Sequence, residues 1–166
     1  MTQVQVAAIV TTGAEVLYRQ ALPVTEFNAA LGELAGTLML TMEQASGVGI
    51  AAPQIGVSQR LFIVASRPNE RYPDAPEMAP LLMVNPELLG HSEETEDGEE
   101  GCLSVPGTRL SIARYRWVDA RWQDAQGKHH QQRLDGFIAR IFQHELDHLD
   151  GITLLERIQL QERSPA

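Results

Sequence analysis

The sequence predicts a single-domain α+β fold. Antiparallel or mixed β-sheets pack around a central C-terminal helix that carries H-E-x-x-H, and a second helix lies towards the N-terminus. Three observations predict this. Strand-like segments crowd the middle of the chain. Amphipathic helical patterns bracket them. The regular β-α-β alternation of a doubly wound sheet is missing. At 166 residues the chain fits one domain, taken as 1–166, large enough to bury a core.

Residues 4–10 are apolar and extended or irregular. Glu15-Val16-Leu17 leads to Ala21-Leu22-Pro23-Val24, where Pro23 breaks any helix. Thr25 suits an N-cap, and Phe27, Ala30, Leu31, Leu34, Leu38 and Met42 form a helical stripe to about Ala45. Gly32 and Gly36 lower helix propensity, so this helix must lean on packing, and its stripe reads as core. Gly47-Val48-Gly49-Ile50-Ala51-Ala52-Pro53-Gln54 reads as a loop between helix and strand. It is no phosphate loop, because neither G-x-G-x-x-G nor G-K-[ST] is present.

Arg60 to Ala65 reads as a strand, 67–80 with its prolines as a loop, and Leu81 to Val84 as a strand stopped by Asn85-Pro86. The acidic block Glu93-Glu94-Thr95-Glu96-Asp97-Gly98-Glu99-Glu100 reads as a solvated loop, with Glu100 set apart because it abuts a motif. Arg109 to Gln123 has strand character. Asp124 to Gly127 is a turn, and Lys128 to Leu134 is the return strand of a hairpin. Asp135 then suits an N-cap, Gly136 a tight entry and Gly151 a left-handed stop. Between them Phe137, Ile138, Ile141, Phe142, Leu146 and Leu149 fall at helical spacing. Ile152 to Leu155 either pairs with a strand or covers the core, and the polar stretch 159–166 reads as a frayed tail.

A net charge of −9 argues against a nucleic-acid-binding module, which needs a basic footprint. No apolar run reaches the length of a membrane span. The start, Met1-Thr2-Gln3-Val4-Gln5, has no targeting character, so a cytoplasmic location is expected. Cys102 is the one cysteine. It is a buried filler, a reactive thiol or a metal ligand.

The chemistry centres on Gln143-His144-Glu145-Leu146-Asp147-His148-Leu149. Histidines four apart on a helix share one face, with Cβ atoms about 5–6 Å apart, so two ring nitrogens can meet one metal ion. Glu145, on the edge of that face, can take a proton from water that the metal activates. The pattern is short and also arises on ordinary surface helices, so the rest of the chain must decide.

A catalytic metal usually has three protein ligands and one open position. No histidine follows His148. The candidates for the third ligand are Glu156 and Glu162 downstream, and His91, Cys102, His129 and His130 upstream. Cys102 is the strongest, because it sits in the small-residue turn Glu100-Gly101-Cys102-Leu103-Ser104. A thiolate with two imidazoles suits zinc or iron(II). His129 and His130 read as solvated and His91 as a loop residue. The rivals are a zinc endopeptidase with Glu156 as third ligand, a binding module that has lost catalysis, and a purely structural metal site.

Gly47 to Gln54, Glu100 to Ser104 and Gln143 to Leu149 resemble the three motifs of the bacterial-type peptide deformylase family, in that family's order and at fitting spacings. The resemblance runs from about Val16-Leu17 to Ile158. It implies a metal-dependent hydrolase that removes the N-formyl group from the N-terminal formylmethionine of newly made polypeptides and releases formate. It implies one divalent metal ion on Cys102, His144 and His148, natively iron(II), with zinc, nickel or cobalt able to take its place. Glu145 would be general base and acid. The Gln54 amide and the Leu103 backbone N–H would stabilise the oxyanion. Gly49 would hydrogen-bond an extended peptide, and Gly101 falls among the substrate contacts. Ile50, Phe137 and Ile141 match positions around the methionine pocket, and Glu100 and Arg109 a polar pair near it. Arg140 stands where many relatives carry an apolar pocket residue. The implied partners are N-formyl-Met nascent peptides, with neither nucleic acid nor membrane. Many relatives touch the ribosome through a longer C-terminal helix; proximity to the ribosome stays open here, and direct contact is not claimed for the stretch after Ile158.

Overall fold

The computed structural model describes residues 4–163. In chain order the elements are α1 (Ala29–Gln44), β1 (Gly49–Ala51), β2 (Leu61–Val64), β3 (Leu81–His91), β4 (Thr95–Cys102), β5 (Val105–Tyr115), β6 (Trp117–Gln123), β7 (His129–Asp135), α2 (Gly136–Leu149) and α3 (Leu154–Arg163). Short 3₁₀ turns cover Glu15–Tyr18 and Ala52–Ile55. The expected α+β architecture is present. Five strands form one antiparallel sheet in the order β1-β2-β3-β6-β7, and β4 and β5 form a separate antiparallel hairpin.

The apolar run Leu61-Phe62-Ile63-Val64 is buried at every position, because helices cover both faces of the sheet. Phe62 and Val64 point towards α2 and pack with Ala139, Ile141, Phe142 and Leu149. Leu61 and Ile63 point the other way and pack with Leu31, Leu38 and Met42 of α1. Phe62 and Phe142 meet edge to face, with centroids 5.5 Å apart. α2 is thus held on an apolar bed while its other side faces the β4–β5 hairpin.

The end of α2 is set by Gly151. Its φ of 76° closes the helix, with Ile152 N–H bonded to Asp147 O and Gly151 N–H to His148 O. A Cβ at Gly151 would fall 2.8 Å from the Tyr18 carbonyl. At the start, Asp135 occupies the N-cap position but its side chain makes no capping bond.

Several expectations change. Asn28, not Thr25, caps α1, accepting from Leu31 N–H at 3.1 Å. The loop expected at 47–54 contains β1 and the second 3₁₀ turn. β3 does not stop at Asn85-Pro86. Asn85 takes a φ of 49° and the register shifts between Val84 and Glu87, so a bulge absorbs the proline. The Asn85 side chain ties this bulge to Val24 N–H and carbonyl and to Gln123.

The acidic block is mostly strand, not loop. Its charged residues tolerate β4 because the two-stranded hairpin leaves one face open to water, where Asp97 and Glu99 are exposed. His91 ends β3 and stacks on Tyr115. The tail expected to fray from 159 is helical as far as Arg163, and Ser164, Pro165 and Ala166 lie outside the described residues, as do Met1, Thr2 and Gln3, where no targeting character is expected. Among the described residues no helix is long and apolar enough to cross a membrane.

Candidate active site

Helix α2 carries His144 and His148 one turn apart, with ring centroids separated by 5.2 Å. Gln143 fixes the helix against β5: its side chain accepts from Tyr115 N–H at 2.9 Å and donates to Tyr115 O at 3.0 Å. On the facing hairpin a register shift at Gly101/Cys102 breaks the ladder and leaves Cys102 in the turn before Val105. There its Sγ lies 3.2 Å from His148 Nε2. One ligand atom from each of Cys102, His144 and His148 falls within 4.8 Å of the others. The Cys102 thiol is held well below its usual range: burial opposes ionisation, but the facing His148 and His144 outweigh it. Thiolate and imidazoles are the donors that zinc and iron(II) take.

Glu145 adjoins this cluster, 4 % exposed. Burial pushes its carboxyl up to about 7, against the pull of His144 and His148. Its Oε1 has no hydrogen-bond partner among the described residues. A buried carboxylate oxygen without a partner is costly and is retained where chemistry uses it. Gly49 makes room for it, because a Cβ there would sit 2.7 Å from Glu145 Oε2 and 2.8 Å from Ile141 Cγ2. The donor set and this orphaned oxygen together fit a divalent cation with a reacting group beside it.

Gln54 is 1 % exposed on the second 3₁₀ turn. Its Oε1 accepts from Ala51 N–H at 2.9 Å, which aims Nε2 at Ser104 Oγ (3.1 Å) and Cys102 Sγ (3.7 Å). A fixed amide donor therefore faces the centre. Leu103 lines the same cleft.

Behind His144 lies a buried charge network. Glu100 Oε1 pairs with His144 Nδ1 at 2.9 Å, leaving Nε2 for a ligand bond. Arg114 grips Glu100 with two bonds, Nε to Oε2 (3.0 Å) and Nη2 to Oε1 (2.9 Å). Arg114 Nη1 reaches Asp147 at 2.6 Å, and Arg157 of α3 clamps Asp147 with two more bonds. Burial would raise the Glu100 carboxyl, but the bonds from His144 and Arg114 hold it well below the usual carboxylate range.

The cleft has about 520 Å³ of empty space and opens to solvent. Gly49, Gln54, Glu100, Gly101, Cys102, Leu103, Phe137, Ile141, His144 and Glu145 line it together. Two expected residues are placed elsewhere. Ile50 is fully buried in the core beside Leu38 and Met42, because strand alternation turns it to the α1 face; Val48 lines the cleft instead. Arg109 does not pair with Glu100. It bonds Glu99 at 3.0 Å and lies over Tyr72, since on β5 it points away from Glu100 while Arg114 points in.

Sequence reasoning passed over Arg114, Arg157 and the rim residues Arg71 and Tyr72, and it gave no task to Asp147 or Ser104 although both lie in the motifs it singled out. A signal for Arg114 existed: it shares the strand parity of Leu110 and Ile112, so a charge was due to face inwards. Of the third-ligand candidates, Glu156 accepts from Thr153 Oγ1 and is no part of the cysteine–histidine cluster. His130 pairs with Asp124 on an exposed strand, and His129 is exposed.

Comparison with known proteins accords with this geometry. The family model described as polypeptide deformylase matches residues 6–164. The chain is 53% identical to peptide deformylase 2 of Shewanella oneidensis over 93% of this chain and 86% of that one. It is 41% identical to the peptide deformylase of Thermotoga neapolitana over 91% of this chain and 86% of that one. Among solved structures, the class I type b peptide deformylase of Acinetobacter baumannii bound to Met-Ala-Ser superposes with a TM-score of 0.91 at 46% identity, over 93% of this chain and 99% of that one. The Thermotoga maritima enzyme superposes at 0.83 with 37% identity, over 92% and 97%. With the family model spanning nearly the whole sequence and the fold matching at this identity, the chain belongs to the polypeptide deformylase family.

Proposed function

We propose that Cys102, His144 and His148 hold the divalent cation of a deformylase, that Glu145 moves the proton, and that Gln54 and Leu103 receive the charge of the transition state. The reaction itself follows from the family: hydrolysis of the N-formyl group on an N-terminal methionine, with release of formate. The observation that carries the site assignment is the meeting of Cys102 Sγ with the two imidazoles beside a buried, partnerless carboxylate oxygen.

A divalent cation held by Cys102, His144 and His148 would lower the pKa of water towards ~7 and polarise a carbonyl. The residues supply the rest. β1 is the edge strand of the sheet, so its free side, with Gly49 at the cleft, can pair with an extended peptide. That pairing lays the formyl end towards Cys102 and the first side chain against Phe137 and Ile141. Glu145 accepts the proton of the attacking water and returns it to the leaving amine. Negative charge grows on the formyl oxygen, where the Gln54 Nε2–H and the Leu103 N–H can meet it.

Iron(II) is the proposed native metal, and zinc, nickel or cobalt would suit the same donors. A cytoplasmic location is part of the reading, because formylated nascent chains are made there. The test is formate release from a formyl-Met peptide under anaerobic conditions, with metal analysis of the same sample. Cys102→Ser is expected to lose both metal and deformylation. Retained metal with endopeptidase activity would favour the rival zinc protease instead.

A further inference from the structure

The mechanism leaves two charged residues of the cleft without a task, Arg71 at the rim and Arg140 on α2, and Arg140 is the one set deep in the wall. Arg140 stands one helical turn before His144, with only 12% of its side chain exposed. A guanidinium in the wall of a pocket for an apolar side chain is expensive unless it is fully occupied elsewhere. Here it is occupied. Nη1 donates to Glu100 Oε2 at 2.7 Å and to Ile112 O at 2.8 Å, and Nη2 donates to Glu96 O at 2.7 Å. One planar group therefore ties α2 to both strands of the β4–β5 hairpin.

We propose that Arg140 is a positioning residue that acts through Glu100 on His144, and that Gly98 is the cradle its guanidinium requires. Glu100 has about four lone-pair sites. Arg114 fills two, His144 Nδ1 the third and Arg140 the fourth. Arg140 thereby pulls Oε2 towards α2 and holds the plane of the carboxylate, which sets the direction in which Oε1 accepts from His144. The cradle is visible at Gly98. A Cβ there would fall 2.6 Å from Arg140 Cζ and 2.7 Å from Nη2. To relieve such a contact the guanidinium would have to move, which disturbs its bonds to the carbonyls of Glu96 and Ile112.

The inference rests on the assignment of His144 as a metal ligand. Its measurement is the rate at which metal passes from loaded protein to a chelator, read by absorbance and not by turnover, with melting temperature recorded alongside. Removing outer partners of metal-bound histidines costs roughly 10–100-fold in affinity. Arg140→Leu is expected to speed metal loss by about tenfold or more. Arg140→Lys, which still offers Glu100 a positive charge, is expected to return most of that loss. Gly98→Ala is expected to speed metal loss by itself, and to add nothing when combined with Arg140→Leu.

Unchanged metal loss in Arg140→Leu, or Arg140→Lys as fast as Arg140→Leu, would overturn the positioning role. Additive effects of the Gly98 and Arg140 changes would overturn the cradle. Should Arg140→Leu fail to fold, Gly98→Ala carries the test, because it leaves every charge in place; metal loss at the unaltered rate then overturns the proposal. His144→Ala separates this from failure of the site assignment. Full metal content in that variant would sink the ligand assignment, whereas its loss alongside unaffected Arg140 variants would sink the present inference alone.

Discussion

At the scale of single residues, the centre is a problem of space and of proton traffic. Glu145 can serve as base only if its carboxylate reaches the reacting water, and Gly49 leaves room for that carboxylate at Oε2. Glu145→Gln is expected to keep the metal and lower kcat by about 10²–10⁴-fold, the usual worth of a positioned acid–base group; near-normal turnover in the loaded variant would remove Glu145 from that role. Gly49→Ala should act on the same carboxylate from the other side. Its methyl would displace Oε2, so kcat should fall with metal content unchanged, and an unaltered kcat would mean that Glu145 works from elsewhere. Gln54 is different, because its amide is already locked by Ala51. Gln54→Ala removes a donor that needs no reorganisation, and a loss of roughly 2.7–4 kcal/mol of transition-state stabilisation is expected from kcat measurements. Glu145 was a candidate from residue type and short spacing alone, whereas Gly49 and Gln54 were candidates only through the resemblance of 47–54 to a family motif. The placement of Arg109 and Ile50 was not legible, because which way a strand residue points depends on where the ladder slips.

At the scale of elements, α2 is fixed at its two ends by different means. Its C-terminal stop is local: Gly151 adopts a conformation that costs other residues, and it lies against the Tyr18 backbone. Gly151→Ala is expected to destabilise the protein by at least about 1–2 kcal/mol in urea titration; a wild-type midpoint would mean that the helix end relaxes freely. The sequence announced this stop, as it announced the histidine-bearing face, since both follow from 3.6-residue periodicity and one glycine. It did not announce β4. A run of carboxylates argues for solvent until its partners are known, and those partners, Arg114 and Arg140, are 14 and 40 residues away from Glu100. Nor did it announce the passage of β3 through Asn85-Pro86, because the bonds that make the bulge tolerable come from Val24 and Gln123.

Across the whole molecule, the proposed metal ligands come from two parts of the fold. Cys102 belongs to the β4–β5 hairpin, outside the five-stranded sheet, whereas His144 and His148 belong to a helix seated on that sheet. A cation bound by all three bridges hairpin and body, so its binding energy becomes folding energy. At a free metal concentration a thousandfold above the dissociation constant, this adds ~4 kcal/mol. For a chain of this size each kcal/mol moves the melting temperature by about 2–4 °C, so a rise of roughly 8–16 °C is expected on loading the metal-free protein. Cys102→Ser should lose most of that rise, because it cuts the link on the hairpin side and leaves both histidines intact. A metal-free protein that melts with the loaded one, at a metal concentration that restores turnover, would mean that the cation touches only one of the two parts and that Cys102 is not among its ligands.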